Sequence, residues 1–137
     1  MRRMSSSPTH IIAPQGLAPG NGYSHLVIAE GRLAAISGQI ALDADGKVVG
    51  EGDPEAQAEQ VFANLERCLR EAGAGFTDVV KFTFFVTDLS VMPALRAVRD
   101  RYLDPGRLPA SSAVQVAGLI RPELLMEVEA FAVLPPG

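Results

Sequence analysis

The chain is poor in cysteine and histidine and cannot form an internal disulfide. Its 137 residues hold one cysteine, Cys68, and two histidines, His10 and His25, fifteen positions apart. With no CxxC pair and no Cys/His cluster, no zinc site is expected, and no sequence motif calls for a cofactor. A lone thiol fits a reducing compartment, so a cytoplasmic protein is expected. No apolar run approaches the roughly 18 to 20 residues that cross a bilayer, which argues against a membrane partner. The opening "MRRMSSSPTH" carries two arginines without the apolar core of a signal peptide. Residues 1–10 are read as a disordered arm and 11–137 as a single domain. A basic excess is also missing. Twelve Lys and Arg face sixteen Asp and Glu, for a formal net charge of −4, so a surface built for phosphate backbones is disfavoured.

What is present is an ordinary globular composition, 47% hydrophobic and 20% charged. Residues 11–24 are rich in Pro and Gly and read as a loop, with Ile11 and Ile12 at the start of a short strand. The apolar runs around Glu30-Gly31 read as two strands of a hairpin, and Asp45-Gly46 as a second hairpin turn leading to a strand Lys47–Val49. Residues 53–73 give the clearest helix. Asp53 suits the N-cap, Pro54 the first turn and Gly73 the C-terminal stop. Val61, Phe62, Leu65, Cys68, Leu69 and Ala72 form its apolar stripe. A strand Val79–Thr87, a helix over 91–103, and strands Ser112–Ala117 and Leu125–Val133 follow. Arg96, Arg99 and Arg101 are assigned to the outer face of the second helix.

This order predicts one α+β domain with a mixed six-stranded sheet and two helices on one face. The nearly continuous apolar run Val79–Val86 implies burial on both sides of the sheet. Two helices cover only one side, so a homo-oligomer with sheets facing inward is expected.

Five stretches, "NGYSHLV", "ISGQIALDADGKVVG", "QAEQVFANLERCLREAGAGFTDVVKFTFFVTDL", "LPASSAVQVAGL" and "MEVEAFAV", occur in order over about residues 17–133. Together they resemble the Rid family of reactive-intermediate deaminases, also called the YjgF family and, in older labels, L-PSP endoribonucleases. The resemblance implies a chorismate-mutase-like α+β fold, a barrel-like homotrimer and small-molecule clefts between neighbouring subunits. Its best-known members hydrolyse 2-imino acids to 2-keto acids and ammonia. That chemistry asks for a cationic fork on the substrate carboxylate, a carboxylate that handles water, and an enclosing wall.

Carried over by position, the resemblance nominates Tyr23 and Ser37 as ligand-binding residues and Glu127 as the catalytic carboxylate. Glu129 lies two residues on, on the same strand face. His25 is either a base or a strand-edge cap. The family pattern fails at Ser111, where imine-hydrolysing members carry arginine. A hydrogen bond to a charged group is worth roughly 1.5–3 kcal/mol against roughly 0.5–1.5 for a neutral one, so this replacement should cost on the order of tenfold to a few hundredfold with an imino acid. Standard 2-iminobutanoate or 2-iminopropanoate activity is therefore expected to be weak or absent. Arg96, at a position where relatives place asparagine near the ligand, is the candidate substitute cation. Arg107, in the loop before Ser111, is the other. Three readings follow: a hydrolase of imine or enamine intermediates, a non-catalytic small-molecule-binding or interaction protein, and, least favoured, an endoribonuclease.

Overall fold

The computed structural model describes residues 8–135. Its six strands are β1 (Thr9–Ile11), β2 (Leu26–Ile28), β3 (Arg32–Gln39), β4 (Val79–Val86), β5 (Ala110–Gln115) and β6 (Met126–Leu134), with helices α1 (Pro54–Glu71) and α2 (Met92–Tyr102). The start of α1 follows from local chemistry: the Ala56 amide donates to Asp53 Oδ1 at 3.1 Å, and Pro54 occupies a position where no amide is needed. Gly73 ends the helix at φ 73°.

Val61, Phe62, Leu65 and Leu69 of α1 are buried against the sheet. Cys68, expected on the same stripe, is only half-buried at its flank. Strand β4 alternates: Phe82, Phe84 and Val86 are buried beneath the helices, whereas Lys81, Thr83 and Phe85 lie on the other face and remain partly exposed in the single chain. The helices bury one side; the other is the side for which a partner copy is expected. Phe62 is the hub of the core, 5.4 Å between ring centroids from Tyr102 and 5.9 Å from Phe82. Fully burying such a ring is worth roughly 1.5–3 kcal/mol.

The expected single sheet is divided. β3, β6, β4 and β5 form a four-stranded sheet in that order, and β1 and β2 form a separate antiparallel pair. The anticipated hairpin between β2 and β3 does not form. Gly31 is required there for another reason: at φ 148°, a Cβ on it would lie 1.8 Å from the Leu134 carbonyl oxygen, so glycine lets the end of β6 pass close to the chain. β2 pairs instead with β1, register Thr9 to Ile28. The strand therefore begins within the stretch 1–10 read as a disordered arm; residues 1–7 lie outside the described residues. This small pair reaches the main sheet through one bridge, Ser24 to Ala110. The neighbouring Pro109 accepts from the Ser24 amide at 3.0 Å but has no N–H to return.

The second turn is real but shorter than expected. Asp43 Oδ1 accepts from the amides of Asp45 and Lys47, Gly46 takes φ 78°, and Leu42 bridges Val48. The strand expected at Lys47–Val49 is reduced to that bridge. β4 and β5 run parallel and are joined through α2, whereas β6 is antiparallel to both its neighbours.

Candidate functional site

Loop 12–25 is tied down at its far end, and this brings distant residues together. Ser24, fully buried, donates from Oγ to the Leu108 carbonyl at 2.6 Å, and His10 Nδ1 lies 2.9 Å from the same oxygen. These contacts hold Tyr23 beside the start of β5. The loop needs glycine at two points. A Cβ on Gly20 would strike the Tyr23 ring at 2.0 Å, and one on Gly22, at φ 75°, would lie 2.1 Å from Arg99 Nη2. The chain therefore folds over the Tyr23 ring on one side and the Arg99 guanidinium on the other.

Between this loop, α2 and β5 lies a cavity of about 380 Å³. Tyr23, Arg96 and Ser111, three residues singled out from the sequence, all line it, with Asn21, Ser112 and Ala113. Phe84 and Met92 supply apolar surface, and Arg99 lines it too. No Asp or Glu is among these residues, so the lining is cationic in a chain of net charge −4.

The two arginines are held differently. Arg96 is half-exposed and makes no hydrogen bond or ion pair among the described residues. Arg99 is 3% exposed. Its Nε donates to Asp100 Oδ1 at 2.9 Å and its Nη1 to the Asn21 carbonyl at 3.4 Å. Its Nη2 lies 2.9 Å from Asp100 Oδ1 as an ion-pair contact but is not directed for a hydrogen bond, and so remains a buried donor without an acceptor.

Arg96, the candidate substitute cation, lines the Ser111 cavity from α2, and Arg99 lines it too. One reading of the sequence is corrected: Arg99 does not face solvent. Of the three arginines assigned to the outer face of α2, Arg101 does lie there, paired with Glu55 at 2.8 Å and also bonded to Glu59. The signal that could have found Arg99 was its spacing: i and i+3 on a helix share a face, so a cavity-lining Arg96 brings Arg99 with it. Arg107 does not line the cavity. His25 Nε2 sits 2.6 Å from the Ala18 carbonyl and its ring packs edge-on against Tyr23 at 5.5 Å, the arrangement of a residue that props the loop.

Ser37 and Glu127 lie elsewhere in the single chain. Ser37 lines a second cavity, of about 610 Å³, between β3 and α1 with Ile36, Cys68 and Glu71. Glu127 lies on the sheet face opposite the helices. Its register partner is Phe85, whereas that of Ser111 is Phe82 on the helix-facing side. Glu127 leans over the bulge in β3, where Ser37 and Gly38 together oppose one residue of β6. A Cβ on Gly38 would stand 2.1 Å from Glu127 Oε2, so glycine leaves room for the carboxylate. Glu129, paired with Thr83, shares this face.

The family model named Endoribonuclease L-PSP matches residues 13–134. The chain belongs to that family, known also by the names Rid and RutC. Among its Rid relatives, a RutC family protein of Synechocystis is 42% identical over 122 residues, 88% of this chain and 92% of that protein. The rat protein named 2-iminobutanoate/2-iminopropanoate deaminase is 35% identical, covering 83% of this chain and 81% of its own length. The solved structure of YyfB, a Rid-family protein of unknown function from Yersinia pestis, superposes with a TM-score of 0.86 at 36% identity, over 94% of this Rid chain and 100% of its own. The fold shared with these relatives is α+β, two helices against mixed strands. No helix of the described residues is long and apolar enough to cross a membrane.

Proposed function

We propose that this Rid-family chain is a cytoplasmic hydrolase of a small imine or enamine intermediate bearing an anionic group, and that it works as a homotrimer. The observation that carries this reading is the cavity in which an unpaired Arg96 faces Tyr23 and Ser111. The anion binds Arg96, the polar wall of Tyr23 and Ser111 orients it, and Glu127 handles the water. In the reaction, water adds to the C=N carbon while a carboxylate takes one of its protons. That proton is delivered to nitrogen to give an amino alcohol, whose hydroxyl proton then passes through the carboxylate to the nitrogen as ammonia leaves and the carbonyl forms.

Glu127 and Ser111 lie on opposite faces of one sheet, so a single copy cannot bring both to one ligand. A neighbouring copy supplies the missing half at a seam. The helix-free face supports this, because Leu33 is 68% and Phe131 38% exposed on the face that also carries Glu127 and Glu129. Ser37, on the same bulge as Gly38, belongs to the Glu127 half of the cleft.

The test generates 2-iminopropanoate in situ with an amino-acid oxidase and follows keto-acid release, alongside light scattering for the oligomeric state. We expect three copies per particle and release slower than by an arginine-bearing relative, by about tenfold to a few hundredfold. Ser111→Arg should raise the rate and Glu127→Gln should remove it. A wild-type rate equal to the relative's would refute the role given to position 111. If neither wild type nor Ser111→Arg exceeds the uncatalysed rate, the hydrolase reading fails in favour of a binding protein.

A further inference from the structure

The donors in the Arg96 cavity are too many, and come from too many directions, for one carboxylate. Arg96 on α2 offers a guanidinium with no partner among the described residues. Arg99 offers a buried guanidinium whose Nη2 makes no hydrogen bond, although it lies 2.9 Å from Asp100 Oδ1. Ser111 on β5 and Tyr23 on the loop add hydroxyls, neither of which makes a hydrogen bond among the described residues. Ser112 contributes less, because Lys81 Nζ donates to its Oγ at 2.7 Å. Asp100 offsets part of the Arg99 charge, but its side chain is 62% exposed and lies outside the cavity lining.

A carboxylate presents two oxygens in one plane, which a single guanidinium fork can saturate. Placed here it would engage one wall and leave the half-exposed donors on the others to water. A tetrahedral oxyanion presents oxygens toward all three walls. It also carries close to two charges at neutral pH, and two guanidiniums, one of them partly offset by Asp100, line the cavity. We infer that the ligand of this cavity carries a phosphate monoester group, held by Arg96 and Arg99 with Ser111 and Tyr23. This rests on the proposed function only in placing the ligand in the same cavity; it specifies the anion and does not depend on turnover.

The probe is inorganic phosphate, titrated at low millimolar concentration against the intact chain and read by calorimetry and thermal shift. Acetate and succinate at matched ionic strength are the comparison ligands. We expect saturable phosphate binding that Arg96→Ala weakens on the order of ten- to a hundredfold, that Arg96→Lys partly keeps, and that Arg99→Lys weakens. Arg70→Ala, on the exposed surface of α1, should bind as wild type. Should the Arg99 variant fail to fold, the Arg96 pair of variants still decides the question. Acetate or succinate binding as tightly as phosphate would overturn the inference, as would a phosphate response unchanged in Arg96→Ala. Either result leaves the deaminase assay untouched, so the two readings fail separately.

Discussion

Gln57 offers the sharpest stability test, because one fully buried amide satisfies three backbone groups from two other segments. Its Nε2 donates to the carbonyls of Gly50 at 3.0 Å and Glu123 at 2.9 Å, and its Oε1 accepts from the Leu125 amide at 2.9 Å. Gln57→Leu keeps the approximate volume and the helix propensity but strands two acceptors and a donor. Each stranded buried group costs about 1–3 kcal/mol, offset in part by about 1.5–3 kcal/mol for the buried leucine. Some relaxation of the 118–125 loop toward water brings the expected net loss to about 2–5 kcal/mol, a large share of the roughly 5–15 kcal/mol that holds a domain folded. Equilibrium urea unfolding measures it, with the slope against denaturant checked for two-state behaviour. The same tether places the start of β6, so the variant should also lose Glu127-dependent turnover under conditions where it remains folded. A loss below about 1 kcal/mol would refute the reasoning. It would mean that the three backbone groups find other partners and that Gln57 does not hold α1 to β6.

Two further outcomes are expected. Gly38→Ala places a methyl where Glu127 Oε2 now lies. It should cut turnover at least tenfold with little change in ligand binding at the Arg96 cavity, and a variant with normal turnover would show that the carboxylate acts from another position. Tyr102 should ionise above its ordinary value of 10.0, first because burial desolvates the phenolate and then because Glu59 stands beside it. Since its folded value is raised, its contribution to stability is complete below pH 10 and is lost as pH rises through the folded value. An absorbance titration of Tyr102→Phe against wild type checks this, and a Tyr102 midpoint at or below 10 would contradict it.

How much of this was legible in the residues depended on how local the cause was. α1 was readable because its signals are consecutive: Asp53, Pro54, an apolar stripe and Gly73. β4 was readable because Val79–Val86 is dense in β-branched and aromatic residues. The β1–β2 pair was not, because Glu30-Gly31 carries the signature of a hairpin turn while Gly31 serves the passage of Leu134 from the far end of the chain. Arg99 was missed for a similar reason. A helix arginine defaults to solvent, and what buries this one is loop 20–23, whose Asn21 lies 78 residues away in sequence. That Tyr23, Arg96 and Ser111 share one cavity follows the positional resemblance, which carries long-range contacts that periodicity cannot.

The same register that made the fold readable also limits what one copy can do. Side chains on a strand alternate with a period of two, so the face of each residue is fixed by parity. In this sheet Phe82 pairs with Ser111 and Phe85 with Glu127, an odd separation along β4. The cationic cavity and the carboxylate are therefore on opposite sides of one sheet, and no rotamer change brings them together. Moving either residue to the other face would need a one-residue slip that also turned Phe82, Phe84 and Val86 out of the core. If a water at Glu127 is to attack a ligand held at Arg96, the two must come from different copies. Mixing Glu127→Gln with Arg96→Ala chains would then restore activity at the mixed seams, whereas a site built within one copy would stay inactive in every mixture.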